Sequence, residues 1–368
     1  MRIPLLSRLQ NILFAPPEDE RHLDFSIRGI WIANRPHSGV LSSPDFIYQS
    51  LEFLKTTGFN TVFPVVWNRD HTLFPSQLLR EYNFPSIDPF YVENNFDPLE
   101  ILVRAGRELG LKIIPWFEYG FAAYPVKNGG HILSKKPHWC ALDRNGNEVN
   151  SGGLTWMNGL DEEVQELILG LILEVVKNYD VDGIQGCDRL PAMPIAAGYN
   201  QAVIKQYEKD LQTGKIPAEN EPLWIQWRAD RLTDFLAKIY REVKNINPRL
   251  IVSMSPAVYP FSLNHLLQDV PRWIEMGIVD YLHPQIYRDR VESYRGEARK
   301  LRELLPLDTA VKVAPGIAFK ANGRELTVED IQKCLRINRE LKFDGYLCFH
   351  YEGLRKNNVM LFSQYRCK

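Results

Sequence analysis

The stretch Glu108-Leu109-Gly110-Leu111-Lys112-Ile113-Ile114-Pro115-Trp116-Phe117-Glu118-Tyr119 holds the fold in miniature. An amphipathic segment ends at Gly110, a residue suited to the left-handed position that closes a helix. A β-rich run, 111–118, follows at once and finishes on a carboxylate set among aromatics. The same order (helix end, Gly or Asp, short β-rich run) precedes 61–67, 183–188, 279–287 and 345–352. Runs at 28–33, 250–255 and 310–315 complete a set of eight predicted strands.

Helices are predicted between them. Ser43-Pro44 opens one with a capping residue and a proline at its first position. Asp97-Pro98-Leu99-Glu100 opens another, whose Leu99, Leu102, Val103 and Leu109 keep the helical period. Residues 161–179 carry a continuous stripe, Val164, Leu167, Ile168, Leu171, Ile172, Val175 and Val176, behind an acidic first turn. Residues 221–245 form a further long helical segment with Trp224 and Trp227. Strands that alternate with helices pair in parallel through right-handed crossovers. Eight is the number that closes a barrel. An open doubly wound sheet usually begins with a glycine-rich turn, and no G-x-G-x-x-G is present. The expected fold class is therefore α/β, a single (β/α)8 TIM barrel over residues 25–355. Long excursions follow strand 3 (119–161) and strand 4 (189–224). Residues 1–24 read as an N-terminal leader outside the barrel, and 356–368 as a C-terminal tail.

Composition agrees with a globular chain. Of 368 residues 45% are hydrophobic and 24% charged, which excludes a disordered or collagen-like protein. The formal charge of -1 offers no electrostatic case for a nucleic-acid partner. Five cysteines, an odd number with no C-x-x-C, argue for free thiols. Arg8, Gln10 and Asn11 interrupt the first apolar run before signal-peptide length, so no clear export signal is read there. No window has the apolar length of a transmembrane segment.

Barrel active sites lie at the C-terminal ends of the strands. Three acids fall there, Glu118, Asp188 and Glu352, and they are the candidate catalytic residues. Glycoside hydrolysis needs one carboxyl to donate a proton and one to act as nucleophile or base. Glu118 and Asp188 end neighbouring strands about 4.8 Å apart, which would suit the retaining separation of about 5–5.5 Å. Glu352 is expected to face them from across the ring. Each acid has a plainer alternative, an ion pair with Arg35, Arg69, Arg189 or Arg288 at the rim. Asn34, Trp67, Trp116, Tyr119, Arg189, Gln285, Tyr287, His350 and Tyr351 share this end and are the candidate substrate-binding residues. Aromatics stack on sugar faces while amides and Arg bond hydroxyls, so the expected partner is a carbohydrate. No cofactor or metal site is expected. His71, His283 and His350 lack a metal-binding motif and read as hydrogen-bonded structural residues. Cys187 has no histidine in position to activate it. Asn145-Gly146 reads as a hairpin turn.

At these strands the sequence resembles the glycosyl hydrolase-like 10 family of bacterial TIM-barrel proteins, with a similarity to its cyanobacterial members. The resemblance rests on Arg28-Gly29-Ile30-Trp31, Gly58-Phe59-Asn60-Thr61, Pro115-Trp116-Phe117-Glu118-Tyr119-Gly120, Asp182-Gly183-Ile184-Gln185 with Asp188, residues 273–280 with Pro284-Gln285-Ile286-Tyr287, and Tyr351-Glu352-Gly353. It spans roughly residues 25–355. It implies a glycosidase that cuts a bacterial glycan, since members of known role act on peptidoglycan strands stripped of their peptides. Such members are exported or lipid-anchored. The family's strand 4 usually ends in two consecutive Asp residues, whereas this chain has Cys187-Asp188, so only Asp188 carries over. A barrel that binds glycan without cutting it is the alternative.

Overall fold

The computed structural model describes residues 25–34, 37–124, 130–306 and 309–357. The predicted leader, Arg35 and positions 358–368 of the predicted tail lie outside them. The strands are β1 (Ile27–Ile32), β2 (Thr61–Pro64), β3 (Lys112–Ile113), β4 (Gly183–Cys187), β5 (Ile251–Ser255), β6 (Tyr281–Leu282), β7 in two pieces (Lys312–Val313 and Gly316–Ala318) and β8 (Gly345–Phe349). All of their mutual pairings are parallel. Trp116, just past β3, bridges Val65 on one side and Gln185 on the other. β7 pairs β6 with its first piece and β8 with its second.

The lower rim runs through all eight strands by a four-fold rule. Asn60, Asp182, Asp280 and Asp344 open the even-numbered strands. Each side chain accepts a backbone N–H from the preceding odd strand: Arg28 (2.9 Å), Ile113 (2.8 Å), Val252 (2.7 Å) and Val313 (2.8 Å). Each backbone N–H of the four donates back to that strand, and each carbonyl accepts from the next odd strand, Lys112, Ile251, Lys312 and Ile27 in turn. These part-buried polar groups are thereby satisfied without a break around the ring. Gly345 follows from this closeness: a Cβ there would stand 1.8 Å from the Ile27 carbonyl.

Several strands are shorter than their apolar runs predict. Pro64, Pro115, Pro256, Pro284 and Pro315 lie within or just beyond them, and proline has no N–H for the ladder. Their carbonyls still accept, from Trp116, Gln185, Gln285, Gly316 and Leu347 at 2.7–3.1 Å. Regular pairing is interrupted while the ring continues upward.

The helices form where capping and period direct them. Besides short helices at Gln77–Glu81, Pro89–Glu93 and Gly130–Lys135, they are α1 (Pro44–Thr56), α2 (Pro98–Leu109), α3 (Glu162–Asn178), α4 (Gln201–Leu211), α5 (Pro222–Ile246), α6 (Phe261–Leu266), α7 (Val270–Glu275), α8 (Val291–Leu304), α9 (Val328–Glu340) and α10 (Tyr351–Asn357). Ser43, Asp97 and Asp161 cap α1, α2 and α3 with their side chains, and Gly110 closes α2 at φ 64°. α3 buries its whole predicted stripe, each such side chain contributing on the order of 1.5–3 kcal/mol of transfer free energy. The excursion after β3 folds back as a small antiparallel sheet, including the predicted hairpin at Asn145-Gly146. The excursion after β4 is held to α5 by Arg228. Its buried guanidinium donates to the carbonyls of Trp224, Ile195, Ala197 and Glu219 and lies 4.5 Å from the Trp224 ring. Trp224 and Trp227 stack nearby and close a small separate core with Tyr199 and Tyr207. Among the described residues no helix is long and apolar enough to cross a membrane.

Candidate active site

The mouth of the barrel stands on an aromatic floor. Trp31 crosses the ring to donate from Nε1 to Gln185 Oε1 (2.6 Å), and Gln185 in turn donates to Ser253 Oγ (2.9 Å). Phe63, Trp116, Tyr287 and Phe349 pack around the Trp31 rings. Above them a chain of amides reaches the first acid. Asn34 Nδ2 donates to Asn68 Oδ1 (2.5 Å), and Asn68 Nδ2 donates to Glu118 Oε2. Asn68 is held there by a two-residue hairpin whose central residues, Arg69 and Asp70, both have positive φ. Asp70 is buried beneath the turn and accepts the Tyr124 N–H (2.9 Å), which ties this hairpin to the excursion after β3.

Glu118 and Asp188 share one electrostatic field. Burial pushes the Glu118 carboxyl above the usual carboxylate range. Arg189 and the Asn68 amide oppose that, and the charge of Asp188 adds to it. Burial prevails over the nearest cation because Arg189 Nη1 stands 3.7 Å from Glu118 Oε1 and spends its hydrogen bond on the Glu118 carbonyl (3.1 Å). The result is a carboxyl that holds its proton more tightly than usual, at the same mouth as Asp188. The Tyr287 phenol is also pushed up, by burial and then by Asp188, so it remains a hydrogen-bond donor. Tyr119 lies under Arg189, with the guanidinium 5.6 Å from the ring centre.

Not every predicted site residue joins this group. The Glu352 carboxylate accepts from Ser38 Oγ (3.1 Å) and the Gly39 N–H (3.2 Å), so it fastens the loop after β1. Trp67 is fully buried and donates to the Gly120 carbonyl (3.0 Å), forming a wall behind the site. Tyr351 is buried edge-on against Phe53 of α1. Trp116 is buried in the floor, with its Nε1 unpaired. Gln285 donates to the Ser255 carbonyl (2.8 Å) at the rim of an open cleft of about 610 Å³ that Tyr287 also lines. His350 stands next to Glu352 and His37, and burial lowers its pKa. Asn68 went unselected beside its aromatic neighbour Trp67. Its position one strand over from Asn34 was the available signal.

The histidines do not converge. His71 pairs with His131 (ring centres 4.8 Å apart), while His283 sits inside the barrel and bonds the Ala314 carbonyl (2.8 Å). His283 is hydrogen-bonded as expected, while His71, His283 and His350 each keep one buried ring nitrogen without a partner. Among the described residues no three His, Cys, Asp or Glu side chains are grouped to hold a metal ion. Cys187 is buried, its Sγ donates to the Glu118 carbonyl (3.0 Å), and burial pushes its thiol well up. A thiol so held is not a nucleophile.

Comparison with known proteins agrees with this architecture. The chain is 24% identical to glycosyl hydrolase DigH of Escherichia coli (strain K12), over 93% of this chain and 86% of that protein. It is also 24% identical to glycosyl hydrolase YngK of Bacillus subtilis (strain 168), over 72% of this chain and 54% of that one. The glycoside hydrolase domain of PgaB (BpsB) from Bordetella bronchiseptica superposes with a TM-score of 0.67 at 13% identity, over 93% of this chain and 99% of that one. The GH36 α-galactosidase AgaA of Geobacillus stearothermophilus gives 0.56 at 14% identity, over 92% of this chain and 41% of that one. These likenesses place the fold among glycoside hydrolase TIM barrels. The family profile described as glycosyl hydrolase-like 10 matches residues 26–329, and the chain belongs to that family.

Proposed function

We propose that this protein is a glycoside hydrolase in which Glu118 is the general acid and Asp188 the nucleophile or base. The observation that carries the reading is the part-buried Glu118 carboxyl held between Asn68 and Arg189 at the barrel mouth, where burial and the charge of Asp188 both raise its pKa. In this mechanism Glu118 protonates the leaving glycosidic oxygen while Asp188 acts at the anomeric carbon, directly or through water. Asn68 and Arg189 fix Glu118, Tyr119 supports the Arg189 guanidinium from below, and Tyr287 offers its ring and phenol to the sugar. Family membership supports a bacterial glycan, and peptide-free peptidoglycan strands are the proposed substrate.

One observation favours a second reading, a barrel that binds glycan and leaves it intact. Residues 185 and 187 lie on the same face of β4, so Cys187 occupies the interior position at the strand's end, and its thiol is spent on a backbone carbonyl. Release of reducing ends from peptide-free peptidoglycan strands separates the two. Wild type should cleave, and Glu118→Gln or Asp188→Asn should lose about 10²–10⁴-fold while remaining folded. Activity gained only in Cys187→Asp would favour the binding reading. Full activity in Asp188→Asn would remove Asp188 from the mechanism.

A further inference from the structure

Beside the barrel mouth, two adjoining clefts of about 610 and 350 Å³ share the loop residues 257–260 together with Glu297 and Lys300 of α8. Together they form a trough between the loop after β5 and α8. Each is in the size range of a ligand cleft, about 300–1,000 Å³. The larger opens at Gln285, Tyr287 and Arg288, just beyond β6 on the barrel-mouth side. Phe261, the first residue of α6, lines it with half of its surface exposed. Its ring is backed by His265, centres 4.4 Å apart and planes 30° from parallel. A single exposed aromatic is ordinary, but one held flat at the edge of a cleft is a platform. Arg288 and Lys300 reach the same carboxylate, Glu297, at 3.5 and 3.3 Å. Two cations on one anion leave the lining of the larger cleft one positive charge in excess, while Glu303 lines the smaller one.

We propose that this trough is a distal sugar subsite. One further residue of the bound glycan stacks on Phe261 and directs its oxygens to Arg288 and Lys300. The inference rests on the glycan reading above, and it makes the protein a reader of chain length. An aromatic platform with an apolar lining suits the C–H face of a pyranose, and paired cationic donors suit its hydroxyl, acyl or carboxylate oxygens. The occupant is a continuation of the same chain because Tyr287, at the barrel mouth, also lines the cleft.

The test is calorimetry with peptide-free peptidoglycan strands of four and of eight sugars, on the Asp188→Asn protein with and without Phe261→Ala. The longer strand should bind the Asp188→Asn protein more tightly, and Phe261→Ala should remove about tenfold of that advantage. Val92→Ala, at another exposed apolar residue, should leave the advantage intact. Equal affinity for both strands, an advantage that survives Phe261→Ala, or no binding of either strand overturns the subsite. Hydrolysis by wild type is scored separately. An uncut strand whose binding still depends on Phe261 would keep the subsite and reject the hydrolase.

Discussion

Substituting Asn68 by Ala should raise the proton affinity of Glu118, and the sign follows from the amide chain. Asn68 Nδ2 donates to Glu118 Oε2, a bond that favours the charged carboxylate and so holds the pKa down against burial. A hydrogen bond to a charged group contributes about 1.5–3 kcal/mol, and 1.36 kcal/mol is a factor of ten in proton affinity. Removing the donor should therefore raise that affinity roughly ten- to a hundredfold, the lower end applying if water replaces the amide. Asp188→Asn should act in the opposite direction, because the Asp188 charge is one of the forces raising Glu118. A ¹³C-carboxyl NMR titration of Glu118 reads both directly. The pH profile of kcat/KM reads the first: if Glu118 is the general acid, the alkaline limb moves to higher pH in Asn68→Ala. The variant also strands the buried Asn34 amide, so both measurements belong well below its unfolding temperature. A titration that stays in place, or moves down in Asn68→Ala, refutes the assignment of Glu118 and the positioning role of Asn68 together.

Two other residues carry predictions on stability. Burial pushes Asp70 up to about 7 from an ordinary 3.8, so ionisation is costlier in the folded chain, and wild-type stability falls as pH rises from about 4 through 7. Asp70→Asn keeps an acceptor for Tyr124 and should be the more stable protein at pH 8 by up to about 4 kcal/mol, an advantage that fades near pH 4; urea titrations at the two pH values check it. Arg228→Met should cost about 3–5 kcal/mol by taking its donor from the carbonyls of Ile195, Ala197 and Glu219, seen as a lower unfolding midpoint by circular dichroism.

Much of the barrel was legible because its signals are local. A helix stripe, a capping Ser or Asp and a Gly at a helix end are each written within a few residues, and α1, α2 and α3 formed where those signals lay. Strand extents were less legible, since an apolar run does not show which of its prolines sits in the ladder. The four-fold rule at the lower rim was visible only as turn residues. That Asn60, Asp182, Asp280 and Asp344 each bond the preceding strand is a fact of register between strands, which no local pattern encodes.

The site was legible to the level of strand ends and not of faces. Successive residues of a strand point to opposite sides, so a filter by position collects both members of each pair. At the end of β2 the aromatic Trp67 drew attention and is wall, while Asn68 beside it holds Glu118. Cys187 ends β4 and Asp188 lies in the turn just past it, where the alternation no longer holds, and this makes a variant at 187 informative. The Cys187 thiol donates to the Glu118 carbonyl, with the Phe117 carbonyl also within 3.9 Å. An aspartate at 187 would face those two oxygens and could keep the bond only in its protonated form. Its folded pKa should therefore lie above the unfolded value, and the variant should lose stability as pH rises past about 4. Relative to wild type, Cys187→Asp should be close in stability at pH 4 and at least about 3 kcal/mol weaker at pH 8, measured by urea unfolding. Under the Glu118–Asp188 mechanism it should also gain no hydrolysis, because it adds a buried acid and leaves the existing pair where it is. Wild-type stability for Cys187→Asp at pH 8 would show that the Phe117–Glu118 backbone yields to a carboxylate. That result would give position 187 the room a catalytic aspartate needs and move the balance to the binding-only reading of the natural chain.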